Sequence, residues 1–386
     1  MVKVAIIIPS YIKVDSPQDI GKSDGFRLLK RTLSSLKILK WPDVKVILPF
    51  CIEGEGINKG MVREYHNMLM KILDTPFPFK RIVLTASNLE TIKRYISQNG
   101  FSDIAERLSV CGFPNIRNCG LIAAQAIGAE AIIFLDNDEV IETGDFVDTA
   151  LEGLFMPVNG HQMDGKGGFY ISQNGAVYDK VIQPWWQTAW KKMKLFEEVW
   201  ENILDAKERF VESPVILGGN VVLTARLFEH IPFDPMVPRG EDIDYLINAR
   251  VAGFEILFDK QMKIKHLPSE RTVLYRKEEL KGDIERFIYE RAKIIKYKML
   301  NLAPYPGYFL KRDLEAKAII TVILFSLYLL SNYRWKDAIK VYTYVSPLFR
   351  KMKDQSFYKK FKERWERLMG FLKLGGLNNI LKEDSL

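Results

Sequence analysis

Apolar residues fall into two spacings along the first third of this chain. VKVAIIIP (2–9), VKVILPF (44–50), RIVLTAS (81–87) and AIIFLD (131–136) are short, nearly unbroken apolar runs rich in β-branched residues, which predicts strands. Between them the spacing lengthens to three or four. FRLLKRTLSSLKILK sets Leu28, Leu29, Leu33, Leu36 and Leu39 along one helical face, and MVREYHNMLMKIL and LETIKRYISQNG follow as helices, the last closed by a glycine. IRNCGLIAAQAIGAE predicts a helix of small residues that packs closely. Short apolar strands alternating with helices predict an α/β fold, a mostly parallel sheet with helices on both faces. Ligands of such sheets sit beyond the carboxyl ends of the strands, and Asp136 falls at such an end.

The pattern changes after residue 150. Residues 151–190 are rich in Gly, Asn and Gln and include GKGGFYIS and QPWWQTAW, which predicts an irregular insertion with one strand. SPVILGGNVVLTARLFEHI reads as strand, glycine turn, and strand or short helix. RGEDIDYLINARVAGF reads as a helix opened by acids, and EILFDKQMKIKHLP as a pair of short strands. From about Glu278 the chain is helical and increasingly basic, with no internal repeat. The division expected is 1–275 as one unit, with a change of pattern between 1–140 and 141–275, and 276–386 as a helical, basic C-terminal region.

Of 386 residues 47% are hydrophobic, enough for a large core. The net charge of +8 is concentrated: residues 334–386 hold 13 Lys and Arg against 6 Asp and Glu, so the rest of the chain is close to neutral. The basic excess therefore says nothing about what the sheet binds, and no nucleic-acid partner is expected. Three irregularly spaced cysteines (Cys51, Cys111, Cys119) predict neither a disulfide framework nor a zinc site, and with them a reducing cytoplasm. The opening MVKVAIIIPSY is broken too early for a signal peptide and reads as the first strand. AIITVILFSLYLLSNY (318–333) is uncharged but shorter than the roughly 20 residues that span a bilayer. It reads as a buried helix of a C-terminal bundle, or as an interfacial helix on an anionic membrane surface given the basic, aromatic FYKKFKERWERLMGFLKL downstream.

In FLDNDEV, residues i and i+2 of an extended segment point to the same side. Asp136 and Asp138 thus face together and Asn137 points away. Two carboxylates converging at a strand end suit a hard divalent cation with positions left for phosphate. Further on, Gly218 and Gly219 of LGGNVV allow close approach to a ligand, with Asn220 as a polar group beside them. Trp185, Trp186 and Trp190 offer a sugar-stacking wall, although the 186/190 spacing fits helix packing equally.

PNIRNCGLIAAQAIGAEAIIFLDND resembles the core signature of GT-A glycosyltransferases, in particular the large family 2; VAIIIPSY resembles the family's first strand and nucleotide-binding loop, and RGEDIDY its acceptor-side Glu-Asp motif. The resemblance covers roughly residues 1–270. It implies a GT-A, Rossmann-like fold and a metal-dependent glycosyltransferase that moves a hexosyl unit from a UDP- or GDP-sugar to a hydroxyl acceptor, glycan, lipid-linked or small. It also implies Mn²⁺ or Mg²⁺ held by Asp136 and Asp138, with His266 at the end of KIKH as third ligand. Asp242 falls at the family's general-base position for an inverting transfer, with Glu241 beside it orienting the acceptor. Pro9, Tyr11, Arg117, Asn118 and Asp136 fall on the donor side, and Arg239 joins Trp185, Trp186, Gly219 and Asn220 on the acceptor side. Asp244 reads as a solvated helix residue; His66, His161 and His230 lack comparable context.

Two departures leave the nucleotide, and inversion against retention, open. The first loop runs SYIKVDSPQDIGKSDGF instead of continuing Asn-Glu, and the second strand ends VILPFCIEGEG, where Glu53 is the acid in place to meet a base. A sugar nucleotidyltransferase shares the architecture but needs a Gly-rich, basic loop after the first strand, which PSYIKVDSPQDIG is not. A non-catalytic membrane-surface protein that keeps the fold is the other alternative, against which Asp136, Asp138 and Asp242 argue. The expected location is the cytoplasm, with the inner membrane face as a peripheral site; an oligomer is left open.

Overall fold

Among the described residues ten strands form one mixed sheet: β1 (Val4–Ile7), β2 (Ser10–Lys13), β3 (Lys45–Glu53), β4 (Lys80–Leu84), β5 (Ala131–Phe134), β6 (Glu139–Val140), β7 (Gly165–Ile171), β8 (Phe210–Val211), β9 (Val221–Thr224) and β10 (Ile256–His266). The computed structural model describes residues 1–54, 61–155, 157, 162–177, 183–268, 277–295, 300–349, 356–378 and 381. Strands β4, β3, β1 and β5 run parallel in that spatial order, and β2 continues the parallel pairing along the second half of β3. β9 enters antiparallel between β5 and β7, and β10 lies parallel to β7 beyond it. This is the expected α/β architecture, parallel in the first half and mixed in the second.

Helices of eight residues or more among the described residues are α1 (Asp24–Leu36), α2 (Val62–Leu73), α3 (Ala86–Gln98), α4 (Phe113–Ala126), α5 (Lys192–Asp205), α6 (Glu241–Val251), α7 (Lys277–Ile294), α8 (Leu314–Ser331), α9 (Trp335–Tyr342) and α10 (Ser356–Lys373). The pleat of β1 shows why both faces are covered. Val4, Ile6 and Ile8 join the leucines of α1 and α2 on one side, while Ala5 and Ile7 join α3, α4 and α10 on the other. Local signals set the helix starts: Ser23 accepts from the Phe26 N–H, Thr85 and Asn88 form a capping box, and Pro114 occupies the first turn of α4. The small residues of α4 are nearly all buried, as close packing requires.

Several sequence expectations need correction. EILFDKQMKIKH is one strand with a register shift between Phe258 and Lys263, not two strands: a bulge interrupts its pairing with β7 without ending it. SPVIL forms no strand; β9 begins at Val221. SYIK, read as loop, is β2, because β3 is nine residues long and offers it an edge. The apolar face of FYKKFKERWERLMGFLKL is not free for a membrane. Trp365, Leu368 and Met369 are buried against α4 and its neighbours, and Trp365 Nε1 donates to Phe228 O at 3.0 Å.

The cysteine expectation is also overturned. Cys51 and Cys111 form a disulfide with Cα atoms 4.9 Å apart across 60 residues of sequence, while Cys119 is buried and free. The end of β3 and the turn entering α4 meet only in the folded chain, so the pair is invisible in the spacing. The cysteines therefore no longer argue for a reducing compartment.

A third core gathers Phe169, Trp190, α5, α6, α7, α8 and α9 beside the β7–β10 edge. It explains the correction at Asp244. That residue is fully buried rather than solvated, 2.5 Å from Lys293 Nζ and accepting from Asn248 at 2.7 Å. Helix α7 supplies Lys293 to the buried side of α6.

Candidate active site

Strand β5 ends in a closed turn. Leu135 N–H still donates to Ile7 O; the Glu139 N–H donates to Asp136 O at 3.2 Å, and Glu139 Oε2 accepts from Asp136 N–H at 2.7 Å. Glu139 is thus a fully buried plug under the two aspartates. Helix α1 grips the turn from behind: Thr32 Oγ1 donates to Asn137 O at 3.0 Å, and Asn137 Nδ2 reaches Gly25 O. The segment is a turn and not the extended backbone expected, so strand alternation does not operate here; Asn137 is spent on α1, while Asp136 bonds to Arg117 and Asp138 lies by His266.

The β6–β10 pairing sets Glu139 opposite His266. His266 Nε2 consequently lies 3.4 Å from Asp138 Oδ2, and its ring stacks on Tyr170 at 5.0 Å. Burial lowers the proton affinity of His266, but the hydrogen bond and charge of Asp138, with Asp136 behind, outweigh it and leave its pKa raised. The Tyr170 hydroxyl accepts from Gly219 N–H at 2.7 Å and lies against the Glu139 carboxyl. A Cβ on Gly219 would stand 2.3 Å from Glu139 Oε1, so only glycine allows this loop to close on the acids.

Arg117 comes from α4 and is 4% exposed. Its guanidinium donates to Asp136 Oδ1 at 3.0 Å, Glu241 Oε1 at 3.2 Å and Gly218 O at 2.8 Å. Burial works against that charge, but Asp136 and Glu241 hold it beyond its ordinary range. Glu241 is pushed up to about 7, first by burial and then by Asp242, with Arg117 opposing. Burial likewise raises Asp136, opposed by Arg117 and reinforced by Asp138 and Asp242. Asp242, at the start of α6, is partly exposed. Its Oδ2 accepts from Gly218 N–H at 3.1 Å and its Oδ1 from Ile243 N–H at 2.8 Å. Asp136, Glu241 and Asp242 thus surround the buried Arg117 guanidinium, and Asp138 and Glu139 add two more carboxyls beside Asp136.

The residues proposed as metal ligands pass a donor test in part. Two donors on one cation, each about 2.0–2.4 Å away, stand roughly 3–3.5 Å apart, and Asp138 Oδ2 and His266 Nε2 fit that spacing. Asp136 is drawn towards Arg117, yet its side chain remains 37% exposed. Among the described residues, the trio of potential ligands that already converges within 4.8 Å is Cys51, Glu53 and Cys111, but two of these are joined as a disulfide.

On the donor side, Tyr11 follows β1, and its ring packs on Phe113 at 5.1 Å. Its hydroxyl is buried with no hydrogen-bond partner among the described residues. Burial raises its pKa, and the charges of Arg117, Glu241, Glu53 and Asp136 act on it. Pro9 is buried beneath, and Glu53 is exposed at the end of β3. Asn118 is occupied: both ends of its amide pair with the Phe233 backbone, at 2.8 and 2.9 Å, so it fastens α4 instead of facing a ligand. Asn220 is likewise fully buried and donates to Phe169 O and Met262 O. Arg239 pairs with Glu279 at 3.0 Å. Next to it Gly240 has φ +72°, and a Cβ there would overlap the Arg286 guanidinium, so α7 clamps the turn that leads into Glu241 and Asp242.

The tryptophan wall does not form. Trp186 is 3% exposed and stacks on Phe325 of α8 at 4.2 Å; Trp190 is fully buried; Trp185 is exposed beside Tyr328. The helix-packing alternative is the one realised, because α8 covers the ring faces. Trp186→Ala is therefore expected to cost about 3–5 kcal/mol of stability in urea unfolding, with the KM for any hydroxyl acceptor unchanged in the folded variant. A raised KM at unchanged stability would restore the stacking role. Arg117→Met is expected to cost a similar ~3–5 kcal/mol, because it strands buried carboxylates; a change below about 1 kcal/mol in the same measurement would show the cluster balanced by other means.

Sequence reasoning missed Tyr170, which no motif marks, and left Glu139 without a role, although its place as the third acid of DNDE was the available signal.

No family model and no curated protein matches this chain. Solved structures with a similar chain trace include a mannosyltransferase from Pyrobaculum calidifontis in complex with GDP-Man and Mn²⁺ (11% identity, TM-score 0.42, 96% of this chain and 87% of that one). Others are GalNAc-T7 with UDP, GalNAc and Mn²⁺ (14%, 0.40, 80% and 53%) and M. tuberculosis glucosyl-3-phosphoglycerate synthase (11%, 0.37, 75% and 79%). At these values the likeness is one of general chain course, and the functional reading rests on the residues.

Proposed function

We propose that this protein is a metal-dependent glycosyltransferase that moves a sugar from a nucleoside diphosphate donor to a hydroxyl acceptor with inversion. The observation that carries the reading is the gathering of five carboxyls at the carboxyl end of β5, three around the Arg117 guanidinium and two beside Asp136. Such an excess of negative charge suits a divalent cation and, through it, an anionic donor.

Asp138 and His266 would hold the cation with Asp136 beside them, and when bound it supplies Lewis-acid stabilisation of the charge that grows on the departing diphosphate. Arg117 holds Asp136 and Glu241 apart and fixes the Gly218 carbonyl. Tyr11 offers a free hydroxyl on the donor side. Asp242 takes the acceptor's proton: two backbone N–H groups orient its carboxylate, and its partial exposure leaves it within reach of a hydroxyl. Arg286, through the Arg239–Gly240 turn, keeps that residue in place.

Incubating the protein with Mn²⁺ and a panel of UDP-, GDP- and dTDP-sugars tests the reading. Slow, metal-dependent release of nucleoside diphosphate from one donor is the expected result. Absence of release from every donor, or pyrophosphate formation from a nucleoside triphosphate and a sugar phosphate, would overturn it.

A further inference from the structure

Helix α8 is apolar on both sides. Leu314, Ala318, Val322, Phe325 and Leu329 are buried in the third core, yet the opposite stripe, Ile320, Ile323 and Leu327, is also apolar and 43–49% exposed. A helix on a water-facing surface carries polar residues there. Helix α9, which packs against α8, repeats the arrangement: Ala338 and Val341 are buried in the same core while Trp335 and Ile339 are 61% and 72% exposed. Both helices turn one face to that core, so their exposed stripes lie on the outer side of the hairpin.

The turn between them adds an independent observation. Tyr333 has φ +59°, at the position after a helix where glycine is preferred, and its ring is 85% exposed. The fold carries backbone strain there and gains no packing from the ring. Beside the apolar stripe of α9, Lys336 and Lys340 are exposed, while Arg334 at the turn is paired with Asp337 at 2.6 Å. An apolar strip edged by aromatic rings and lysines matches the boundary between lipid headgroups and acyl chains.

We propose that the α8–α9 hairpin is a docking face for an anionic lipid membrane, lying in the plane of the interface with Ile323, Leu327, Trp335 and Ile339 in the acyl boundary and Lys336 and Lys340 against lipid phosphates. α8 does not span the bilayer in this arrangement. By length and composition its 18 residues could cross one, but half its circumference is committed to the protein core. The inference is independent of the donor chemistry, and places the enzyme on a surface whatever sugar it transfers.

The test is sedimentation of the full chain with vesicles of phosphatidylcholine and phosphatidylglycerol, against phosphatidylcholine alone. The parent protein is expected to bind the anionic vesicles. Lys336→Glu combined with Lys340→Glu is expected to weaken that binding at least about thirtyfold, from the loss of two lysines at the surface, and Ile323→Glu with Leu327→Glu to abolish it. Tyr333→Gly separates docking from folding: binding falls while the melting temperature holds or rises, because glycine accepts the left-handed backbone. Three outcomes overturn the proposal: a parent protein that stays in the supernatant, binding that these substitutions leave unchanged, or a vesicle-free dimer that Ile323→Glu with Leu327→Glu dissociates, which would make the face a contact between copies.

Discussion

Asp242→Asn is expected to slow sugar transfer about 10³-fold, within the 10²–10⁴ range of general base catalysis, while donor affinity stays within about twofold. The substitution preserves shape. Asn Oδ1 still accepts the Gly218 N–H that Asp242 Oδ2 accepts at 3.1 Å, which holds the 218–219 loop, while the amide nitrogen gives up the bond that Asp242 Oδ1 accepts from Ile243 N–H at 2.8 Å. What is lost is the capacity to take a proton. Glu241, the neighbouring acid, is ill-placed to substitute because its carboxylate is bonded to Arg117. Single-turnover transfer measured beside donor titration separates the two quantities. A variant that transfers at the parent rate would show Asp242 is not the base, and a matching loss in Glu241→Gln would move the role there.

Asp138→Asn is expected to weaken Mn²⁺ binding by at least about a hundredfold, since removal of an outer-shell partner alone costs 10–100-fold and here a proposed ligand itself goes. The sign of its effect on stability runs the other way. Asp138 adds negative charge to a group in which Asp136 and Glu139 are already raised by burial and by their acidic neighbours. Neutralising it relieves that repulsion in the metal-free protein, and urea unfolding without metal should show stability held or increased. A metal affinity equal to the parent's would remove Asp138 from the ligand set. A large loss of metal-free stability would mean that the Asp138–His266 pair is a structural ion pair.

Much of the site was legible because its parts are local in sequence. The apolar run before Asp136 marked the strand end that carries both aspartates, although a turn and not the two-residue alternation sets their directions. The acids opening RGEDIDY marked the first turn of α6, and the small residues of α4 announced close packing. What sequence could not supply were partners set by tertiary contact. Asn118 and Asn220 look like ligand groups but satisfy backbone at Phe233, Phe169 and Met262. Trp186 looks like a sugar platform until α8 covers it, and Asp244 looks solvated until α7 delivers Lys293. Tyr170 had no signal at all, because its role depends on β7 lying beside β10 and beneath Gly219.

The most direct test of the account is titration of UDP and GDP into the parent protein with Mn²⁺ and, separately, with EDTA. The account predicts that one nucleoside diphosphate binds tightly with Mn²⁺ and loses most of its affinity in EDTA, with the Mn²⁺ dependence absent in His266→Ala. Equal binding in the two conditions, or none in either, would contradict it.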